Sequence, residues 1–195
     1  ALRAAGLRAV EELKTGDPAE AAAWARQRGE WPVVVKPLDS AGTDGVTLCE
    51  DPAAVEAAFA AILGRPNALR GANEELLVQE MLRGTQLFVN SVSWEGRHRV
   101  SEVWQDNKRR IEGNLVYDYE ELHPRHGEKQ DAVVDYVEEV LDALGIRFGP
   151  AHTEVMLTAS GPVLVESGAR LHGSTRDDVI DRCTPSHAAI VAEAY

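Results

Sequence analysis

The chain has 195 residues, of which 44% are hydrophobic and 27% are charged, and its formal net charge is −12. This length allows one large domain or two small lobes with a buried core, and the composition is ordinary for a soluble globular protein. The negative charge argues against non-specific binding to nucleic acid or to an anionic membrane, but local Lys and Arg residues still allow an anionic small-molecule site.

Several kinds of protein are excluded by what the sequence lacks. It contains no apolar run of 18 residues and no signal peptide, so it predicts a cytoplasmic protein. Cys49 and Cys183 lie far apart, which fits a reducing compartment and provides neither a disulfide framework nor zinc-ligand spacing. The chain begins with Ala1 inside a helical pattern, which is expected of a processed product or an excised fragment.

The first part of the chain predicts helices alternating with short strands. Asp-Pro pairs at 17–18 and 51–52 each supply a helix N-cap followed by a proline at the first helical position. Short apolar runs between the helices are typical of buried strands. The predicted elements are helices 1–5, 19–28 and 52–63 and strands 33–36, 46–48 and 76–79.

The second part predicts antiparallel hairpins around one long helix. Residues 86–94 and 97–104 alternate about the turn Glu95-Gly96, and the apolar face of residues 129–144 predicts a helix. Residues 107–126 are polar and irregular, so we expect a long functional loop there. A last helix is expected from Thr184-Pro185 to the end. The predicted class is α+β, with two lobes, 1–84 and 85–195, that meet near Gly84.

The stretch from His152 to Gly173 carries the strongest chemical signal. Glu154 and Glu166 lie on the two arms of a predicted hairpin, and Arg170 follows shortly after. With a three-residue loop at 159–161 the two carboxylates face each other, whereas a two-residue loop would place them on opposite faces. Opposed carboxylates suit Mg²⁺, and a guanidinium suits phosphate or carboxylate. The alternative is a half-exposed hairpin whose glutamates face water.

A glycine-rich loop follows the predicted strand 33–36. Lys36 ends that strand, and Ser40, Gly42 and Gly45 offer small side chains and free N–H groups to which phosphate oxygens can come close. The spacing differs from the Walker pattern, which places the lysine after the second glycine. The alternative is an ordinary glycine turn with Lys36 at the rim of a strand.

A third segment connects the predicted strand 76–79 with the hairpins. The main chain of such a connector can hydrogen-bond a purine edge, while apolar side chains enclose the ring. Glu80, Leu82 and Gln86 lie on it. The alternative is a plain strand end with a glycine turn.

Together these three segments resemble the ATP-grasp superfamily, and the resemblance covers nearly all of the chain. The run Glu166-Ser167-Gly168-Ala169-Arg170, with His152 two residues before Glu154, looks most like the carboxylate–amine ligases that join amino acids. The resemblance implies two α+β lobes with antiparallel sheets around a nucleotide, ATP and Mg²⁺ as cofactors, and small carboxylate and amine substrates joined through an acyl-phosphate.

The resemblance also implies a role for each matching residue. Lys36 would contact the nucleotide and take part in catalysis, and Arg170 would steady the acyl-phosphate and the tetrahedral species that follows it. The other implied residues are Ser40, Gly42 and Gly45 at the phosphates, the backbone of Glu80 and Leu82 at adenine, Gln86 at ribose, and Glu154 and Glu166 at Mg²⁺.

Three departures from the family pattern limit these implications. Gln86 replaces the usual ribose glutamate, and Gly168 stands where a third metal ligand, often Asn, is expected. The family normally also carries an N-terminal α/β domain and further C-terminal residues, and we expect this chain to be an isolated ATP-grasp module without them. A nucleotide-binding module without catalysis, or a purely structural domain, therefore stays open. His152, His172, Asn90, Gln105 and Lys108 could face the substrate or be structural.

Overall fold

The computed structural model describes residues 1–40, 43–111, 114–173 and 185–195, with no side-chain description for 110–117. After a 3₁₀ helix at Leu2–Ala5, the helices are α1 (Pro18–Arg28), α2 (Pro52–Ile62), α3 (Glu128–Leu144) and α4 (His187–Ala194). The strands are β1 (Glu12–Thr15), β2 (Val33–Pro37), β3 (Thr47–Cys49), β4 (Leu76–Glu80), β5 (Thr85–Trp94), β6 (Arg97–Ile111), β7 (Asn114–His123), β8 (Gly149–Thr158) and β9 (Gly161–Gly168).

The chain divides into two compact units. One contains Val10–Leu82 and Arg109–Val116, and the other contains Ala1–Ala9, Arg83–Lys108 and Tyr117–Tyr195. The division after Leu82 falls two residues before the lobe boundary that the sequence predicts. Residues 1–9 belong to the second unit, unlike the expected lobe 1–84, because Leu2 and Leu7 pack against its core. Below, the two units are called the N-terminal and the C-terminal unit.

The N-terminal unit contains a four-stranded antiparallel sheet in the order β1-β4-β2-β3. Helices α1 and α2 contribute Ala21, Ala25 and Phe59 to the same buried core as Val33 and Val35 of the sheet. As expected, Asp17 caps α1 by accepting from the Ala19 N–H at 2.8 Å. Strand β1 was not predicted, because its sequence ELKT holds a single apolar residue and it pairs only with β4.

The C-terminal unit contains a five-stranded sheet in the order β7-β6-β5-β8-β9. Helix α3 packs its buried side, including Val133, Val137 and Leu141, with Leu87 and Val155 of the sheet into one core. The predicted apolar face of this helix therefore packs as expected, and Gly145 ends the helix with a φ of 72°.

Two expectations for the C-terminal unit were wrong. Residues 107–126 are not an irregular loop, because β6 continues to Ile111 and β7 spans Asn114–His123. Runs of polar residues occupy these strands, and this polarity was misread as a loop signal. The final helix begins at His187 behind the N-cap Ser186 rather than at Thr184-Pro185, where Thr184 lies outside the described residues.

None of the helices within the described ranges is long and apolar enough to cross a membrane. Cys49 is buried and carries a free thiol, whereas Cys183 lies outside the described residues.

Candidate active site

Glu154 and Glu166 pair across the β8–β9 hairpin as expected, but the loop that joins the two strands is shorter than expected. Strands β8 and β9 are joined by a turn in which Thr158 pairs with Gly161, so only residues 159–160 form the loop. A regular ladder from this turn would place Glu154 opposite Val165. The register shifts between Glu154 and Val155, however, and Glu154 pairs with Glu166. Because this bulge inserts Val165 as an extra residue, the two glutamates lie opposite each other despite the short loop.

Strand register places the polar residues of the C-terminal unit on one face of its sheet. Phe88 of β5 pairs with Glu154 of β8 and with Trp104 of β6, and the next pairs along the same face join Asn90 to His152 and to Glu102. Since side chains alternate along each strand, Gln86, Asp106 and Lys108 share this face. We call it the polar face. The opposite face carries the α3 core and also Gln105, which pairs with the core residue Leu87.

Both oxygens of the Glu154 carboxylate are held in place. The Gln86 amide Nε2 donates to Oε2 at 2.6 Å, and the His152 Nε2 lies 3.5 Å from Oε1. Burial by itself would raise the pKa of Glu154, but the His152 contact, the Lys108 charge and the Gln86 hydrogen bond outweigh it and bring the pKa below its usual range. The side chain is 15% exposed, so an ionised carboxylate is kept at a partly buried position.

A series of buried side-chain hydrogen bonds orients the His152 ring. The Asn90 amide donates to Glu102 Oε2 at 2.8 Å, so its oxygen is the atom that faces His152 Nδ1 at 2.9 Å. Nδ1 must therefore donate, and Nε2 is turned towards Glu154. Glu102 also accepts from the Trp104 indole N–H at 3.1 Å and from the His187 backbone N–H at 3.0 Å. This network is a feature that the sequence did not reveal.

Two further carboxyl groups belong to the same surroundings. Asp106 contacts the Lys108 ammonium at 3.1 Å, and its other oxygen, Oδ1, is buried with no hydrogen-bond partner. Burial raises the pKa of Asp106, despite the nearby charge of Lys108. Burial, together with the charge of Asp106, also raises the pKa of Glu120.

Aromatic rings pack beside these groups. His152 stacks on His172 with ring centroids 4.3 Å apart, and Phe88 contacts both imidazoles. Burial lowers the pKa of His172 to about 4, with help from the charges of His152 and Arg170. The two histidines that the sequence left ambiguous therefore form one stack, with His152 in contact with Glu154.

Arg170 lies directly beside Gly168. Its backbone N–H donates to the Gly168 carbonyl at 2.8 Å, and a Cβ added to Gly168 would come within 3.2 Å of the Arg170 Nε. Gly168 itself pairs with His152 across β8 and β9. The arginine side chain thus fills the space that a side chain at the third expected metal position would take.

The glycine loop of the N-terminal unit is held by exposed polar contacts. Lys36 lies on β2 opposite Leu77, at the start of this loop. The Ser40 hydroxyl donates to Asp44 Oδ2 at 2.7 Å, and the Ala68 N–H donates to the same oxygen at 2.9 Å. Gly45 has a φ of 70°, and a Cβ there would come within 2.9 Å of Pro37, so glycine is required. Gly42 lies outside the described residues.

The connector side chains of this unit are partly used within it. The Glu80 carboxylate accepts from the Glu11 N–H at 2.9 Å and lies 3.6 Å from Arg28. The main-chain N–H of Glu80 is engaged as well, since it donates to the Glu11 carbonyl at 3.0 Å. The contact of the Glu80 main chain with adenine stays a prediction from the sequence. Leu82 follows the end of β4 as a half-buried residue.

A scan against protein-family models identifies the chain. The model described as an ATP-grasp domain matches residues 29–178. The chain belongs to the ATP-grasp family. The predicted resemblance and the predicted α+β fold, with two antiparallel sheets, are thereby confirmed.

One curated relative of this ATP-grasp domain is a synthase. Dapdiamide A synthase of Enterobacter agglomerans is 38% identical over 178 residues, which make up 91% of this chain and 42% of that protein. The chain therefore spans less than half the length of this curated relative.

Solved structures share the fold at lower identity. The L-amino acid ligase from Bacillus licheniformis superposes with a TM-score of 0.71 at 21% identity, over 98% of this chain and 44% of that one. Phosphoribosylamine–glycine ligase from Thermotoga maritima gives a TM-score of 0.77 at 18% identity, over 100% of this chain and 51% of that one.

The sequence did not point to Asp106 of the polar face or to the nearby Glu120. Asp106 follows Glu102 and Trp104 at alternating positions, so extending the predicted strand beyond Trp104 would have placed it there. Glu120 was missed because it fell in the region read as a loop. Across the described ranges, no group of three or more His, Cys, Asp or Glu side chains is arranged to hold a metal ion. A cation here would depend on the two opposed glutamates and on water.

Proposed function

We propose that this ATP-grasp domain is the catalytic part of an ATP- and Mg²⁺-dependent ligase that joins a small carboxylate to a small amine. The observation that carries the proposal is the pairing of Glu154 with Glu166 across β8 and β9. It occurs in a chain that is 38% identical to dapdiamide A synthase over 91% of its length. Small-molecule carboxylates and amines, amino acids among them, are the substrates that follow from this kinship.

The donor set fits Mg²⁺ by its chemistry. Mg²⁺ is commonly held by one or two carboxylates, substrate phosphates and water. Glu154 has a lowered pKa, so it is ionised at neutral pH, and a second carboxylate lies opposite it. Two like charges facing each other destabilise a hairpin unless a cation lies between them. Mg²⁺ bound by Glu154 and Glu166 would supply neutralising charge for the phosphoryl group in transfer.

The proposed ligase reaction has two steps. A carboxylate oxygen of the first substrate attacks the γ-phosphorus of ATP, the bond from that phosphorus to the β–γ bridging oxygen breaks, and ADP leaves. The amine nitrogen of the second substrate then attacks the carbonyl carbon of the acyl-phosphate. The bond from that carbon to the phosphate oxygen breaks, phosphate leaves, and the nitrogen loses a proton to give the amide.

The chain's cationic and loop residues would bind and stabilise the anionic groups. Lys36 would contact the nucleotide phosphates, and Arg170 would stabilise the oxygens that gain charge on the acyl-phosphate and its tetrahedral successor. The glycine loop, with Ser40, Gly42 and Gly45, would close on the phosphates through its N–H groups. The backbone of Glu80 and Leu82 would meet adenine, and Gln86 is the residue that the family pattern places at ribose.

The test measures thermal stability with and without Mg²⁺ and ATP. A ligand at a hundred times its dissociation constant stabilises a protein by about 2.7 kcal/mol, so the unfolding midpoint of the wild type should rise. In Glu166→Gln the Mg²⁺-dependent part of this rise should disappear. ADP release is then measured with pairs drawn from a panel of amino acids.

The outcomes distinguish the candidate functions. A rise in the midpoint together with ADP release supports the ligase. A rise without ADP release for any pair favours the second candidate, a nucleotide-binding module without catalysis. The departures from the family pattern at Gln86 and Gly168 are the observations that favour this candidate. No rise in the wild type would remove both, and an unchanged Mg²⁺ dependence in Glu166→Gln would remove the metal assignment.

A further inference from the structure

Gln86 stands at the position that the family pattern assigns to ribose, yet both ends of its side chain are bonded within the polar face. Its Nε2 donates to Glu154 Oε2 at 2.6 Å, and its Oε1 accepts from the Lys108 ammonium at 3.1 Å. We propose that Gln86 is a positioning residue that orients the Glu154 carboxylate, rather than a ribose ligand. The inference rests on the proposed function, in which Glu154 holds Mg²⁺.

The amide is the group that this location requires. A lysine ammonium only donates hydrogen bonds and an ionised carboxylate only accepts them. A side chain between the two must therefore present an oxygen to Lys108 and an N–H to Glu154. Gln does both, whereas an ionised Glu, the usual family residue, has no donor for Glu154 and would face it as a second negative charge. The replacement of Glu by Gln at this position is thus explained by the neighbours in this chain.

The contact continues into a buried ion pair. Asp106 holds the Lys108 ammonium at 3.1 Å, and the Asp106 side chain is only 3% exposed. The Lys108 ammonium is thus held by Asp106 and in turn holds the Gln86 side-chain oxygen. On the far side of Glu154, Oε1 faces His152 at 3.5 Å. Because separate groups hold the two oxygens, the carboxylate has a defined rotation about its last bond, as an oriented metal ligand requires.

Two substitutions separate positioning from ribose binding. Gln86→Met keeps the length of the side chain and removes both polar ends, and Gln86→Glu introduces the usual family residue. If Gln86 orients Glu154, Gln86→Met should raise the Mg²⁺ concentration at half-maximal thermal shift by about tenfold, for the loss of a hydrogen bond to a charged group. Gln86→Glu, whose carboxylate would face that of Glu154 without a donor, should bind ATP more weakly than the wild type. The ratio of the dissociation constants for 2′-deoxy-ATP and ATP should stay that of the wild type.

A ribose ligand would give the opposite pattern. Gln86→Glu would then bind ATP at least as well as the wild type, and Gln86→Met would lose its preference for ATP over 2′-deoxy-ATP without a change in the Mg²⁺ midpoint. Either result would overturn the inference. So would a lower unfolding midpoint in the absence of ligands with an unchanged Mg²⁺ midpoint, because that is the mark of a merely structural role.

The matched control is Gln105→Met on the neighbouring strand. Gln105 faces the α3 side of the sheet and bonds Asn107 at 2.8 Å, so its loss should leave the Mg²⁺ midpoint unchanged. Failure of the proposed function is recognised separately. If the wild type itself shows no Mg²⁺-dependent shift, the function and this inference fail together. If the wild type shifts and the Gln86 variants match it, only the inference fails.

Discussion

The two candidate binding regions of this ATP-grasp domain are built in contrasting ways. In the N-terminal unit, the glycine loop is held by the exposed Asp44 carboxylate, which accepts from Ser40 and Ala68. In the C-terminal unit, Glu154 lies within a network of side chains that includes the buried groups of His152, Asn90 and Glu102. Exposed hydrogen bonds exchange readily with water, whereas buried ones fix a geometry. Under the proposed function, the loop would rearrange around phosphates, and the polar face would hold its ligand in a fixed geometry.

The largest effect is expected at Glu154, the proposed metal ligand. Glu154→Gln keeps the shape of the side chain but removes its charge, so ADP release should fall by about a hundredfold or more, as for the loss of a preorganised electrostatic contact. The measurement is ADP release at saturating ATP with the best amino-acid pair. Glu139→Gln, an exposed change on α3, is the control and should keep full activity. Equal rates for the two variants would contradict the assignment of Glu154.

The next effect tests the buried network against the loop. Glu102→Ala should lower the free energy of unfolding by about 3 kcal/mol, because it leaves Asn90, Trp104 and the His187 N–H without their acceptor. Urea denaturation measures this change. Asp44→Ala, the corresponding loss in the glycine loop, should leave the midpoint of unfolding within error, since its donors can turn to water. A larger loss for Asp44→Ala than for Glu102→Ala would reverse the comparison.

The contrast between the glycine loop and the polar face also explains which features of the site could be predicted from the sequence. The glycine loop is a local motif, so Lys36 and Gly45 could be singled out from residues that are close together in the sequence. The facing of Glu154 and Glu166 was also predicted, but through a three-residue loop, whereas the chain uses a shorter turn and a bulge at Val165. The strand Val163-Leu164-Val165 carries no glycine or other bulge signal, so tertiary contacts decide where the extra residue lies.

The network behind Glu154 could not be read from the sequence. Asn90, Glu102 and His152 lie on three strands, and their contacts depend on the register of two strand pairs at once. Residues 107–126 were misread as a loop for a related reason, because their polarity gives no strand pattern although β6 continues to Ile111 and β7 spans Asn114–His123. Both the network and the strand extension thus depend on contacts between strands, which the local sequence pattern does not show.

A pH-dependent effect is expected from the histidine stack. The pKa of His172 is about 4 in the folded chain and 6.5 in the unfolded one, so the folded state favours the neutral ring. The resulting stability is fully present above pH 6.5 and is lost as the pH falls from 6.5 towards 4, up to about 3 kcal/mol. His172→Phe keeps a ring on His152 and Phe88 but does not titrate.

Urea denaturation at several pH values between 4 and 7.5 measures this contribution. The free energy of unfolding of the wild type should decline more steeply towards acid than that of His172→Phe. His126→Phe is the control, because His126 is exposed. Parallel curves for the wild type and His172→Phe would show that burial of the neutral His172 ring does not govern the acid range.

The smallest effect is expected at Gly168, where the family often has a ligating Asn. The side chain in Gly168→Asn would first meet Arg170, whose Nε and Cγ lie 3.2 and 3.3 Å from the added Cβ. The arginine is flexible, so a shift of a few tenths of an ångström can relieve the contact, and stability should change by less than about 1 kcal/mol. Because Arg170 fills the space beside Gly168, the Mg²⁺ midpoint should stay within about threefold of the wild type. Tighter Mg²⁺ binding in Gly168→Asn, but not in the double variant with Arg170→Ala, would show that the arginine orients a third ligand. Tighter Mg²⁺ binding in the single and the double variant would show that a third ligand at position 168 improves the site whether or not Arg170 is present.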